Sequence, residues 1–194
     1  MKTIIGIVGP LACGKGVVAD YLIKNDGYTS FSLSFIVHEE AKKRGITTIT
    51  RTVLQDIGDD LREKEGSGVL AKRAVALLTE RGLDRMVIEG IRNPGEIAHL
   101  RTLPGFLLIA VDALQEVRFR RVIERGKPWD PKDWETFKKV DGRDSGDAAN
   151  KNGQQVRECM KLADIHIKND TDLSQFYEAI EKALSSRRPL RTER

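Results

Sequence analysis

The chain has 194 residues, 40% of them hydrophobic and 32% charged, with two cysteines and a formal net charge of +4. A chain of this size buries roughly 70% of its unfolded surface on folding, so it needs no disulfide framework or structural metal, and Cys13 and Cys159 show neither zinc nor redox spacing. No apolar run approaches the ~20 residues of a membrane span. Most of the charge lies in the last eight residues, where Arg187, Arg188, Arg191 and Arg194 stand against Glu193; the near-neutral body lacks the footprint of a nucleic-acid binder.

Five short apolar runs punctuate longer amphipathic stretches: Thr3–Val8, Tyr28–Leu33, Met86–Glu89, Leu107–Asp112 and Asp164–Ile167. Runs as continuously apolar as Ile4, Ile5, Ile7 and Val8 belong to strands covered on both faces, which predicts an α/β fold with a five-stranded parallel sheet and helices on either side. Residues 1–186 are expected to form one domain and 187–194 a frayed basic tail. No secretory leader is read before the first strand, so the expected compartment is the cytoplasm.

After the first strand comes Gly9-Pro10-Leu11-Ala12-Cys13-Gly14-Lys15-Gly16, which then opens a helix. In that context GxxxxGK is a phosphate cradle: glycines clear the backbone N–H groups, the helix end attracts the anion, and Lys15 adds a point charge. Gly9, Ala12, Cys13, Gly14, Lys15, Gly16 and Val17 are therefore the expected contacts for ATP. The motif departs from the usual pattern where Gly16 and Val17 replace the magnesium-holding Ser or Thr. Magnesium is expected on the phosphates, on water and, through water, on Glu89.

Further along, residues 34–81 are expected to supply the acceptor-binding helices. At 100° per residue Arg51, Gln55, Gly58 and Arg62 share a stripe, while Leu54, Ile57 and Leu61 form the apolar one. The third strand ends in Glu89-Gly90-Ile91-Arg92, placing a carboxylate and an arginine at the carboxyl edge of the sheet, where an arginine can grip a phosphate. Arg51, Gln55, Arg62, Glu89 and Arg92 are thus the expected acceptor contacts. After the fourth strand Arg118, Arg121 and Arg125 share a helix face, a stack of like charges that calls for an anion. Residues 127–153, rich in Pro, Gly and charge yet holding Trp129, Trp134 and Phe137, are expected to be a lid. A last helix is predicted by the stripe Leu173, Phe176, Tyr177, Ile180 and Leu184, with Asp172 as N-cap.

These motifs resemble those of P-loop nucleoside and deoxynucleoside monophosphate kinases, within the P-loop NTPase fold. Gly14-Lys15-Gly16 resembles the loop of adenylate kinase, Glu89 to Arg92 its DGxxR element, and the 51–62 helix its counterpart in phage-type deoxynucleoside monophosphate kinases. From Gly6 to about Leu184 the chain also resembles archaeal proteins related to dephospho-CoA kinase, through Glu89 to Arg92, Asp130 to Glu135 and Leu162-Ala163-Asp164. The resemblance implies that Arg121 and Arg125 hold nucleotide phosphates and that Arg143 closes over the transferring group. Lys15, Arg92, Arg121 and Arg143 then stabilise the transition state, ATP and Mg2+ are the cofactors, and the partner is a small-molecule phosphate acceptor, most simply a nucleotide. His38 stands where adenylate-type kinases place a phosphate-binding arginine. Two alternatives stay open: a kinase that phosphorylates a hydroxyl, for which Glu89 is the candidate carboxylate to orient or deprotonate the acceptor, and a regulatory ATP-binding module.

Overall fold

The computed structural model describes residues 3–146 and 150–185. Five parallel strands form one sheet in the order β2-β3-β1-β4-β5: β1 Thr3–Val8, β2 Thr29–Ser32, β3 Arg85–Glu89, β4 Leu107–Asp112 and β5 Ile165–Lys168. Central β1 pairs with β3 through Ile5 and Val87 and with β4 through Ile5 and Leu107. Its alternate residues serve two cores. Ile4 and Val8 face a layer of α2 (Leu33–Lys43), α3 (Arg51–Glu65), α4 (Val69–Glu80) and α5 (Pro94–Leu100), whereas Ile5 and Ile7 face α1 (Lys15–Asp26) and α9 (Leu173–Ser185). This two-sided burial explains why the strand carries no polar alternation.

Limits of β2, β3 and β5 differ by a residue from the sequence expectation. Leu33 begins α2 directly after β2, and Asp164 precedes β5, where its carboxylate accepts from Leu108 N at 2.8 Å. In α9 only Phe176, Ile180 and Leu184 of the predicted stripe are buried; Leu173 and Tyr177 are exposed. Asp172 accepts from Gln175 N at 2.9 Å, as an N-cap does. The tail at 187–194 lies outside the described residues.

The segment 127–153 is the main departure in local structure. It contains a 12-residue helix, α7 (Trp134–Ser145), opened by Asp133, whose side chain accepts from Thr136 N at 2.8 Å. Phe137 and Val140 of α7 pack with Leu11 of the phosphate loop and Val122 of α6 (Gln115–Arg125), and the Trp134 ring lies 5.1 Å from Phe119 and 5.6 Å from Phe137. The prolines and glycines that read as a loop are confined to the ends, apart from Gly142. Short α8 (Val156–Lys161) returns the chain to β5.

This docking predicts that Phe137→Ala costs about 3–5 kcal/mol in urea denaturation, the usual size for emptying a buried aromatic site. A loss under about 1 kcal/mol would mean that α7 does not pack in this way in solution.

Candidate functional site

The loop between β1 and α1 is tightly wound. A Cβ on Gly9 would stand 2.1 Å from Val111 O, and one on Gly14 2.2 Å from Asn169 Nδ2; Gly14 also has φ of +108°, so both positions require glycine. Ala12 takes the left-handed region as well, at φ +60°. Helix α1 starts with no side-chain cap and no acidic residue in its first turn, so its dipole is uncompensated and available to an anion, although Val17 N already donates to Gly14 O at 3.0 Å. Lys15 Nζ folds over the loop, donating to Gly9 O at 2.8 Å and Pro10 O at 2.7 Å. Burial holds this ammonium below its ordinary pKa, against the opposing pull of Cys13.

A groove of about 700 Å³ opens over the loop, lined by Ala12 to Val17 together with Glu89, Arg121, Arg125 and Lys127. Each of the expected ATP contacts but Gly9 lines this groove. Glu89 accepts from Ser30 Oγ at 3.0 Å. Arg121 Nη2 donates to Asn169 O and Oδ1 at 3.1 and 3.2 Å, whereas its Nη1 is buried with no hydrogen-bond partner among the described residues. Asn169 in turn donates to Cys13 O at 2.9 Å and so ties the loop to α6. An asparagine just past a strand carries no motif, and sequence reasoning missed it.

Beside this groove, at the end of β3, lies a second cavity of about 30 Å³, room for about one water. Arg51, Gln55, Gly58, Arg62 and Arg92 all line it, so the predicted stripe and the β3 arginine meet. Gln55 Oε1 is buried there without a hydrogen-bond partner.

Carboxylates occupy these arginines. Arg62, 1% exposed, pairs with Glu96 at 2.9 Å and Asp59 at 3.3 Å. Arg92 pairs with Asp144 and donates to Gln154 at 3.1 Å; Gln55 Nε2 donates to the same Asp144. Arg51 donates to Asp130 at 3.0 Å, and Arg125 grips Asp130 at 2.7 and 3.0 Å. The anion called for by the arginine stack is, at Arg118, the buried Asp141 of α7, with Nη2 to Oδ2 at 2.8 Å. Arg143 lies outside the groove lining, on Asp56 at 2.7 Å and Asp59 at 2.9 Å. Asp141, Asp144 and Glu96 were not singled out in the sequence, because contacts distant along the chain bring them to arginines, and Asp130 entered only as part of the Asp130 to Glu135 stretch although Arg125 lies five residues before it.

The sheet order, the wound glycine loop and the lysine above it define the fold of the P-loop kinases. A gluconokinase from Sinorhizobium meliloti superposes with TM-score 0.57 at 11% identity over 95% of this chain and 93% of its own, and a shikimate kinase from Aquifex aeolicus with TM-score 0.51 at 16% identity over 95% of each. The chain belongs to the UPF0200 family: it is 31% identical to a UPF0200 protein of Hyperthermus butylicus over 96% of this chain and 95% of that one, and 32% identical to one of Pyrococcus horikoshii over 94% and 96%. No protein-family model matches it.

Arg62 is held by a carboxylate that is wholly buried, so Arg62→Met should cost about 3–5 kcal/mol of stability by stranding Glu96. Urea denaturation measures this. A variant within about 1 kcal/mol of the parent would instead leave Arg62 available to a ligand.

Proposed function

We propose that this chain is an ATP-dependent phosphotransferase whose acceptor is a nucleoside or deoxynucleoside monophosphate. The observation that carries the reading is the meeting of Arg51, Arg92 and the unpartnered Gln55 Oε1 in one cavity beside the phosphate-loop groove. Guanidinium groups suit a phosphate, and the amide oxygen asks for a donor such as a hydroxyl or base N–H.

The groove residues suit ATP. Lys15 and the N-terminal end of α1 would receive the β- and γ-phosphates, and the unpartnered Arg121 Nη1 has a phosphate oxygen to gain. Charge spreads over the equatorial oxygens in a loose transition state, so Lys15, Arg121 and Arg125 would act by neutralising it in place, without a covalent intermediate. Arg92 would hold the acceptor phosphate in line. Magnesium fits only as an ion brought by the nucleotide. Gly16 has open space where a side chain would stand but provides no hydroxyl, and among the described residues no three His, Cys, Asp or Glu groups are placed to hold a metal. Glu89, on the groove wall, would hold it through water. When bound, magnesium neutralises the β- and γ-oxygens.

A second reading, transfer to a hydroxyl, is favoured by Asp144, which brings a carboxylate to Arg92 and Gln55 in addition to Glu89. Among the described residues no helix is long and apolar enough to cross a membrane.

ADP release across ribo- and deoxynucleoside monophosphates, nucleosides and dephospho-CoA tests the choice. Lys15→Ala should abolish turnover with the fold retained. Arg92→Lys keeps a charge for Asp144 but loses the fork, so the KM of the best acceptor should rise about tenfold or more while that of ATP stays within about twofold. An unchanged acceptor KM would contradict a phosphate acceptor.

A further inference from the structure

Asp130 is shared by two arginines that belong to different halves of the site. Arg125 lines the phosphate-loop groove, Arg51 lines the acceptor cavity, and both donate to this one carboxylate, itself only 5% exposed. Burial opposes its ionisation, yet the hydrogen bonds from Arg125 and Arg51 prevail and hold its carboxyl below the ordinary range. One negative charge thus serves two guanidinium groups, and Arg51 Nε remains buried without a hydrogen-bond partner.

The neighbouring residue makes the same bridge in apolar form. Trp129 packs against the acceptor-side core and meets the His38 ring of α2 at 5.2 Å, with Lys127 Nζ 5.8 Å above it. Pro128 and Pro131 flank the pair and stiffen it, so residues 128–131 act as a short strap from α6 across to α2 and α3. The strap reaches the acceptor cavity through Arg51, which lines it, and that cavity has about 30 Å³, against the ~300 Å³ at the lower end of small-molecule pockets. The ATP groove, at about 700 Å³, is already open. A nucleotide can enter one half while the other is shut.

We infer that Asp130 couples the two halves: ATP phosphates draw Arg125 away from Asp130, this carboxylate and the Arg51 it holds are freed to shift, and the acceptor cavity that Arg51 lines opens, so that the acceptor binds after ATP. Arg125 is the arginine able to make the exchange, because its side chain is 32% exposed and can turn into the groove, whereas that of Arg51 is 14% exposed. The triphosphate outcompetes a single carboxylate by its greater charge. Asp130 is on this account a positioning residue, acting through the arginines. The inference rests on the reading that the groove takes ATP.

The test uses the full chain with Trp134→Phe, which leaves Trp129 as its single tryptophan. The probe is magnesium β,γ-imido-ATP, with binding followed by calorimetry and Trp129 emission recorded in parallel. Saturation should shift the emission in the parent. In Asp130→Asn the emission should be shifted before any nucleotide is added and should not move further, and nucleotide affinity should rise about threefold or more, the size of a lost competing half-exposed ion pair. Should that variant fail to fold, Arg125→Gln should likewise shift Trp129 without nucleotide. Nucleotide binding in the parent with unchanged Trp129 emission, or weaker binding in Asp130→Asn with native emission, overturns the coupling alone. No nucleotide binding in the parent overturns the phosphotransferase reading and the coupling with it.

Discussion

A guanidinium group leaves water only if a counter-charge is waiting for it, and this constraint organises the molecule. Arg62, Arg92 and Arg118 are drawn beneath the surface by Glu96, Asp144 and Asp141. Leaving one such partner unpaired costs about 3–5 kcal/mol, so the helices bearing these charges are fixed relative to one another even though each pair adds little net stability. Helix α7 is the clearest case. Its apolar face meets Leu11 and Val122, and its acidic residues, Asp141 and Asp144, reach arginines on α6 and after β3. Of these arginines Arg92 lines the cavity proposed for the acceptor, so its pair with Asp144 is the one that a phosphate ligand would replace, whereas Arg62 and Arg118 stay on their internal carboxylates.

The sheet sets the stage for that exchange. Burying β1 on both faces leaves no room at its carboxyl end except for a loop that folds back on itself, and Val111 O and Asn169 press close enough that only glycine fits at positions 9 and 14. With Lys15 lying across the loop carbonyls, the cradle forms before any anion arrives. Cations and N–H donors held in place in advance neutralise developing charge without reorganising, which is the largest contribution a protein can make to phosphoryl transfer.

Much of this was legible in the residues. Strand positions were marked by continuous apolar runs, the phosphate loop by its glycine spacing between strand and helix, and the meeting of Arg51, Gln55, Gly58 and Arg62 by a 100° count along one helix. What the sequence concealed were relations across the chain. Asp130 lies 79 residues from Arg51, and Asp144 lies 52 from Arg92; no periodicity records such a pairing. Arg62 and Arg118 read as ligand-facing charges, yet the buried Glu96 and Asp141 engage them internally. Helix α7 was hidden by Pro128 and Pro131 before it and Gly142 and Gly146 at its end, although its core contacts Trp134 and Phe137 were in view.

The central claim is that arginines now holding aspartates are the ones that hold phosphates when substrates bind. A crystal structure of the complex with a dinucleoside pentaphosphate, which spans donor and acceptor sites in one molecule, tests it most directly. The account predicts terminal nucleosides in the phosphate-loop groove and in an enlarged cavity between α2 and α3, with Arg125 and Arg92 on phosphate oxygens and no longer on Asp130 and Asp144. An analogue bound with both of those ion pairs intact, or bound at the phosphate loop alone with the second cavity still closed, would contradict it.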